Sequence, residues 1–111
     1  MLWLVGSNAS ATTAKEWLAL SADEQRGFVS GTMEAYAYAG SIALSAGQTR
    51  LGDFLLQPLN CIVSLNLGSP AKEVHALVLR YMKAHSETAG QDAARVVRVA
   101  VLASCDKPGT K

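Results

Sequence analysis

Ser69-Pro70-Ala71-Lys72-Glu73-Val74-His75-Ala76-Leu77-Val78-Leu79-Arg80-Tyr81-Met82 is the stretch that decides the fold class. Ser69 suits a helix N-cap, and Pro70 follows at the first helical position, where a missing amide does no harm. Val74, Leu77, Val78 and Tyr81 then recur at i, i+3, i+4 and i+7, which is one apolar stripe of an α-helix. Lys72, Glu73, Arg80 and Lys83 occupy its polar side. His85 falls on the apolar side near the C-terminal end, where the helix dipole favours a charged imidazole, and it reads as a partly buried structural side chain.

Moving outward toward the C-terminus, Ser86 to Gly90 break the pattern and a last helix is predicted from about Gln91 to Ser104. Only Arg95, Arg98 and Leu102 share one stripe of that helix, and the rest of its circumference is Val and Ala. Such a helix must be covered on most sides, so it is expected at the centre of a bundle. Toward the N-terminus, Cys61-Ile62-Val63-Ser64-Leu65-Asn66-Leu67 alternates weakly with two β-branched residues and reads as extended. Before it, Thr49 to Leu56 reads as a short turn of helix that Pro58 ends.

Ser21-Ala22-Asp23-Glu24 is a capping box, so another helix starts there and runs to about Leu44. Phe28, Ala35, Ala39 and Ile42 recur along it beside Gly31 and Thr32, giving a narrow face of small side chains that another backbone, or a second copy in an isologous dimer, could approach. Gly27 and Gly31 each cost about 1 kcal/mol against Ala in a helix interior, which implies a packing reason for them. Ala14 to Leu20 forms a short helix placing Trp17 against this one. The sum is an all-α protein, a small four- or five-helix bundle.

The chain has 111 residues, half of them hydrophobic, which suits one modest core spanning 13–106. Ten Lys plus Arg against nine Asp plus Glu leave no footprint for nucleic acid. No apolar run approaches the roughly 18 residues of a membrane span, so stable membrane insertion is not expected. Leu2-Trp3-Leu4-Val5 looks like the end of a leader's apolar region, and Ala9-Ser10-Ala11 is the small-x-small pattern of a cleavage site. Residues 1–12 therefore read as a signal-peptide remnant or disordered tail, with a second tail at 107–111. A leader implies an oxidising compartment, where the natural use of a lone cysteine pair is a bridge; two unrelated buried thiols are the other possibility. Closing a loop of about 45 residues is worth roughly 4 kcal/mol in the chain-entropy picture.

No constellation in the sequence carries catalysis. There is no Gly-x-Ser-x-Gly elbow and no glycine-rich phosphate loop, so no cofactor is expected. His75 and His85 sit about 15 Å apart along one helix and about 80° apart around it, too far to share a ligand, and neither lies at metal-ligand spacing from a cysteine. Asp23 and Glu24 are explained by capping. The expectation is a protein that is not an enzyme and binds no metal.

A Leu20-Ser21-x-x-Glu24-Gln25-Arg26 start, then Phe28-Val29-Ser30-Gly31 with Glu34, then Cys61, Val78-Leu79-Arg80-Tyr81-Met82 with His85, and an Ala/Val-rich helix closing on Cys105 form an ordered series. This series resembles the Rap/Tai-type immunity proteins of type VI secretion, over about Trp17 to Cys105. Where that family tends to have proline, this chain has Val63, Ser86 and Ser104. The resemblance implies a disulfide between Cys61 and Cys105, a periplasmic location, and a protein partner: a peptidoglycan amidase toxin whose active site the protein covers. A periplasmic acid-stress chaperone is the alternative from another class. Partner-binding candidates come from the apolar segment between the helices: Leu51, Phe54, Leu55 and Leu65, on a region partly pre-organised by Cys61.

Overall fold

Thr13 opens the first helix with a capping box: its hydroxyl accepts from the Glu16 amide at 3.1 Å and the Glu16 carboxylate accepts from the Thr13 amide at 2.9 Å. The helix, α1 (Ala14–Leu18), is short because Ala19 and Leu20 turn the chain into a second capping box, Ser21 with Glu24. That box starts α2 (Ala22–Ser45). The computed structural model describes residues 12–106, and the leader motif at 1–11 and the tail at 107–111 lie outside the described residues.

After α2 the chain reverses through Gly47, whose φ of 80° is the left-handed conformation that glycine adopts at no steric cost. Then follow α3 (Thr49–Leu65), α4 (Pro70–Ala84), a single 3₁₀ turn (Ser86–Thr88) and α5 (Ala93–Cys105). The fold is an all-α five-helix bundle with one disulfide. The only β-type contact among the described residues is an isolated bridge between Thr13 and Asp92. It ties the start of the fold to the start of α5, with the Ala93 amide donating to the Thr12 carbonyl at 2.7 Å. Thr12 thus belongs to the fold, one residue before the boundary expected from sequence.

α5 is central, as its Val and Ala circumference requires. Val96, Val97, Ala100 and Val101 are buried against Trp17 of α1, Val29 and Met33 of α2, Cys61 of α3, and Val78 and Met82 of α4. Trp17 is 0% exposed. Its indole N–H donates to the Gln25 carbonyl at 3.3 Å, so the largest side chain of the core is satisfied at its one polar atom. α3 is joined to α5 by Cys61–Cys105, with Cα atoms 5.9 Å apart, within the usual span of a disulfide.

Three sequence expectations are corrected here. Helix α3 does not stop at Pro58, and residues 61–65 are helical rather than extended. Leu59, Ile62 and Leu65 already carry a helical spacing of three, and their packing on the core outweighs the weak β preference of Ile62 and Val63. The helix ends instead at Asn66, in the left-handed conformation at φ 53°. Second, Ser69 stands at the N-cap of α4 with Pro70 in the first turn as expected, but its hydroxyl makes no capping bond; the Glu73 carboxylate accepts from the Ser69 amide at 2.8 Å instead. Third, Gly27 and Gly31 are helical but have no packing partner, since a Cβ on either would meet nothing within 4 Å. Close approach occurs further along, where a Cβ on Gly40 would overlap Leu56 and one on Gly52 would overlap Leu44, a reciprocal glycine and leucine pairing between α2 and α3.

Candidate functional site

Beside the close α2–α3 approach at Gly40 and Gly52, an open groove of about 600 Å³ lies between α2, Leu55 of α3 and the start of α5. Gly27, Phe28, Gly31, Ala35, Tyr36 and Asp92 are among the residues that line it, and the two glycines are exposed. Two of the expected partner-binding residues lie close by on α3: Phe54 is 52% exposed and Leu51 is 47% exposed. Leu55, half-buried, lines the groove itself. Leu51, Phe54 and Leu55 thus share one flank of one helix, as spacings of three and four dictate. Leu65 does not join them. It lies ten residues, about 15 Å, further along α3 and packs on the core beside Cys61.

Arg98 holds this corner together, although it shares a stripe of the α5 wheel with Arg95 and Leu102. Arg95 is exposed, but Arg98 is only 9% exposed. Its guanidinium lies 3.8 Å from the centre of the Phe54 ring and 5.6 Å from that of Tyr36, within cation–π range of both. Nη1 donates to the Phe54 carbonyl and Nη2 to Gln57 Oε1, each at 3.0 Å. The first bond explains how α3 continues through a proline. Pro58 has no N–H to give the carbonyl four residues earlier, which is that of Phe54, and Arg98 supplies the donor instead. An arginine set among Val and Ala was the available signal for this role.

A second polar centre ties α1, α2 and α4 together. The buried Gln25 amide donates to the Trp17 and Leu18 carbonyls, at 3.1 and 3.3 Å. Its Oε1 accepts from His75 Nε2 at 2.9 Å. Burial lowers the His75 pKa below its ordinary value, and repulsion by Arg26 lowers it further. His85 caps the end of α4, where its Nδ1 donates to the Tyr81 carbonyl at 2.9 Å and its ring stacks on Tyr81.

Among the described residues no three His, Cys, Asp or Glu side chains come together in a way that could hold a metal ion, and no helix is long and apolar enough to cross a membrane. The chain matches no protein-family model, and a search of curated proteins and of solved structures returned no significant match. What the groove offers chemically is therefore read from its own side chains: an apolar trough with an exposed aromatic edge and a buried cation behind it, suited to receiving a side chain or a helix from another protein.

Proposed function

We propose that the protein is a periplasmic immunity-type binding protein that inhibits a secreted peptidoglycan amidase effector by covering its active site. The observation that supports this best is the α2–α3 corner, where Leu51 and Phe54 stand exposed beside a groove lined by two glycines that the packing does not need. Each glycine costs the helix about 1 kcal/mol relative to Ala. Without a side chain at either position the trough stays open, and Phe54, backed by Arg98, is a rigid aromatic anchor of the kind that dominates protein interfaces. The ordered series from Ser21 to Cys105 and the disulfide that closes it agree with the same class. Inhibition of this kind needs complementarity and no chemistry of the inhibitor's own, so the protein is proposed to have no hydrolase activity.

The test is inhibition of peptidoglycan hydrolysis by a secreted cysteine amidase encoded beside this gene. Wild-type protein should inhibit at stoichiometric ratio; Leu51→Ser should weaken inhibition while the melting temperature changes little, and Phe54→Ser should weaken it with a fall in melting temperature no larger than the lost stacking on Arg98 accounts for. Full hydrolysis in the presence of wild-type protein, or unchanged inhibition by both variants, overturns the reading. A second copy in the same groove is the competing occupant, and a concentration-dependent dimer in sedimentation that Gly31→Trp disrupts identifies it.

The buried His75 favours a second reading, a periplasmic acid-stress chaperone. Protonation of His75 opposes folding around Trp17, so acid would loosen α1 and expose apolar surface. Suppression of client aggregation at pH 5 but not at pH 7 by wild type, and at neither by His75→Gln, is the result that reading requires.

A further inference from the structure

A second groove, of about 770 Å³, runs between α4 and the C-terminal half of α5. Leu77, Tyr81 and His85, at spacings of four, make its wall, and the Tyr81 and His85 rings stack with centroids 3.8 Å apart and planes 14° from parallel. Ala103 of α5, exposed and small, lines the opposite side and leaves room for another chain. Arg80 and Lys83 add two exposed cations. Neither has a carboxylate within 4 Å, since the one ion pair among the described residues joins Arg26 to Asp23. Glu73 and Glu87, the nearest acidic residues in sequence on either side, pair with neither.

We propose that this groove docks an acidic peptide segment of a partner protein, with its carboxylates on Arg80 and Lys83 and an apolar side chain against Leu77 and Tyr81. The charge and shape select that chemistry. Two cations are too few to hold a nucleic-acid backbone, whose binding rests on many phosphate contacts. The apolar and aromatic wall calls for a side chain that an isolated anion lacks, and an amphipathic segment laid in a groove supplies both. This surface is separate from the α2–α3 corner and does not depend on the amidase reading.

The experiment titrates the full ¹⁵N-labelled chain with two synthetic peptides of the same length. They share leucine and glycine positions, and the remaining positions are Glu in one and Lys in the other. The Glu peptide should saturate shifts of backbone amides around Tyr81 and Ala103, and the Lys peptide should not. Arg80→Glu combined with Lys83→Glu should weaken the Glu peptide at least tenfold and admit the Lys peptide. Ala103→Trp, which fills the groove without changing charge, should also block the Glu peptide. Equal binding of both peptides, shifts centred on Gly31 and Leu55, or no shift at millimolar peptide overturns the proposal.

Discussion

If Arg98 substitutes for the amide that Pro58 lacks, the two residues must be energetically coupled, and a double-mutant cycle measures that coupling. Arg98→Met keeps length and apolar contact but removes both hydrogen bonds and the stacking on Phe54. A charge-assisted bond is worth about 1.5–3 kcal/mol and a cation–π contact about 0.5–2 kcal/mol, against which the variant escapes the cost of burying a guanidinium. The net loss should be about 2 kcal/mol. Pro58→Ala restores a donor for the Phe54 carbonyl and relieves the ring, but Pro58 is fully buried and two methylenes are lost at about 0.8 kcal/mol each, so the gain should be about 1 kcal/mol. In the Pro58→Ala background, Arg98→Met no longer leaves a carbonyl without a donor. Its cost should fall there by about 1 kcal/mol, the low end of the penalty for an unsatisfied polar group, because the bond is only partly buried. Urea unfolding followed by circular dichroism at 222 nm gives the four stabilities. A coupling below about 0.5 kcal/mol would refute the argument, because the two residues would then act independently.

Cys61→Ser or Cys105→Ser should lower stability by about 4 kcal/mol, the chain-entropy value for a closed segment with a separation of 44, and two labelled thiols in unreduced wild-type protein would contradict the bridge. Gly31→Ala should raise the unfolding free energy by about 1 kcal/mol, since its Cβ meets nothing. Gly40→Ala should fall short of that gain because Leu56 must move, and equal effects in thermal melts would show that the α2–α3 approach is not tight. His75 has a folded-state pKa below its ordinary 6.5, so the unfolded chain binds more protons between those two values. Its stabilising contribution is complete above about pH 6.5 and is lost as the pH falls through the folded-state value. The melting temperature of wild type should therefore drop on acidification below that point, and His75→Gln should flatten the drop; parallel profiles for the two proteins would remove His75 as the cause.

The elements that could be read directly are those whose signal is local. The Ser21 box, the Pro70 start of α4 and the Val and Ala circumference of α5 each depend on residues within a turn or two, and all three stand in the structure. α3 departs from its local signal, because Pro58 is a strong local stop. Its helical continuation rests on Arg98, forty residues away in sequence, and no local rule contains that bond. The candidate site was half legible for the same reason. Leu51, Phe54 and Leu55 stand out as apolar residues in need of a place, and their shared flank follows from helical spacing once α3 is a helix. Leu65 stands out equally, yet only packing against Cys61 and α5 decides that it belongs to the core.

Composition and periodicity by themselves determined an all-α chain with a central last helix, because burying an apolar stripe at a 3.6-residue period leaves few other solutions. The tertiary structure alone decided where the bundle opens. Gly27 and Gly31 look the same in sequence as Gly40 and Gly52, but the first pair faces a groove and the second pair lets two helices touch. The difference lies in what stands opposite each glycine, and that is fixed only when Leu44 and Leu56 have been brought across from the facing helix.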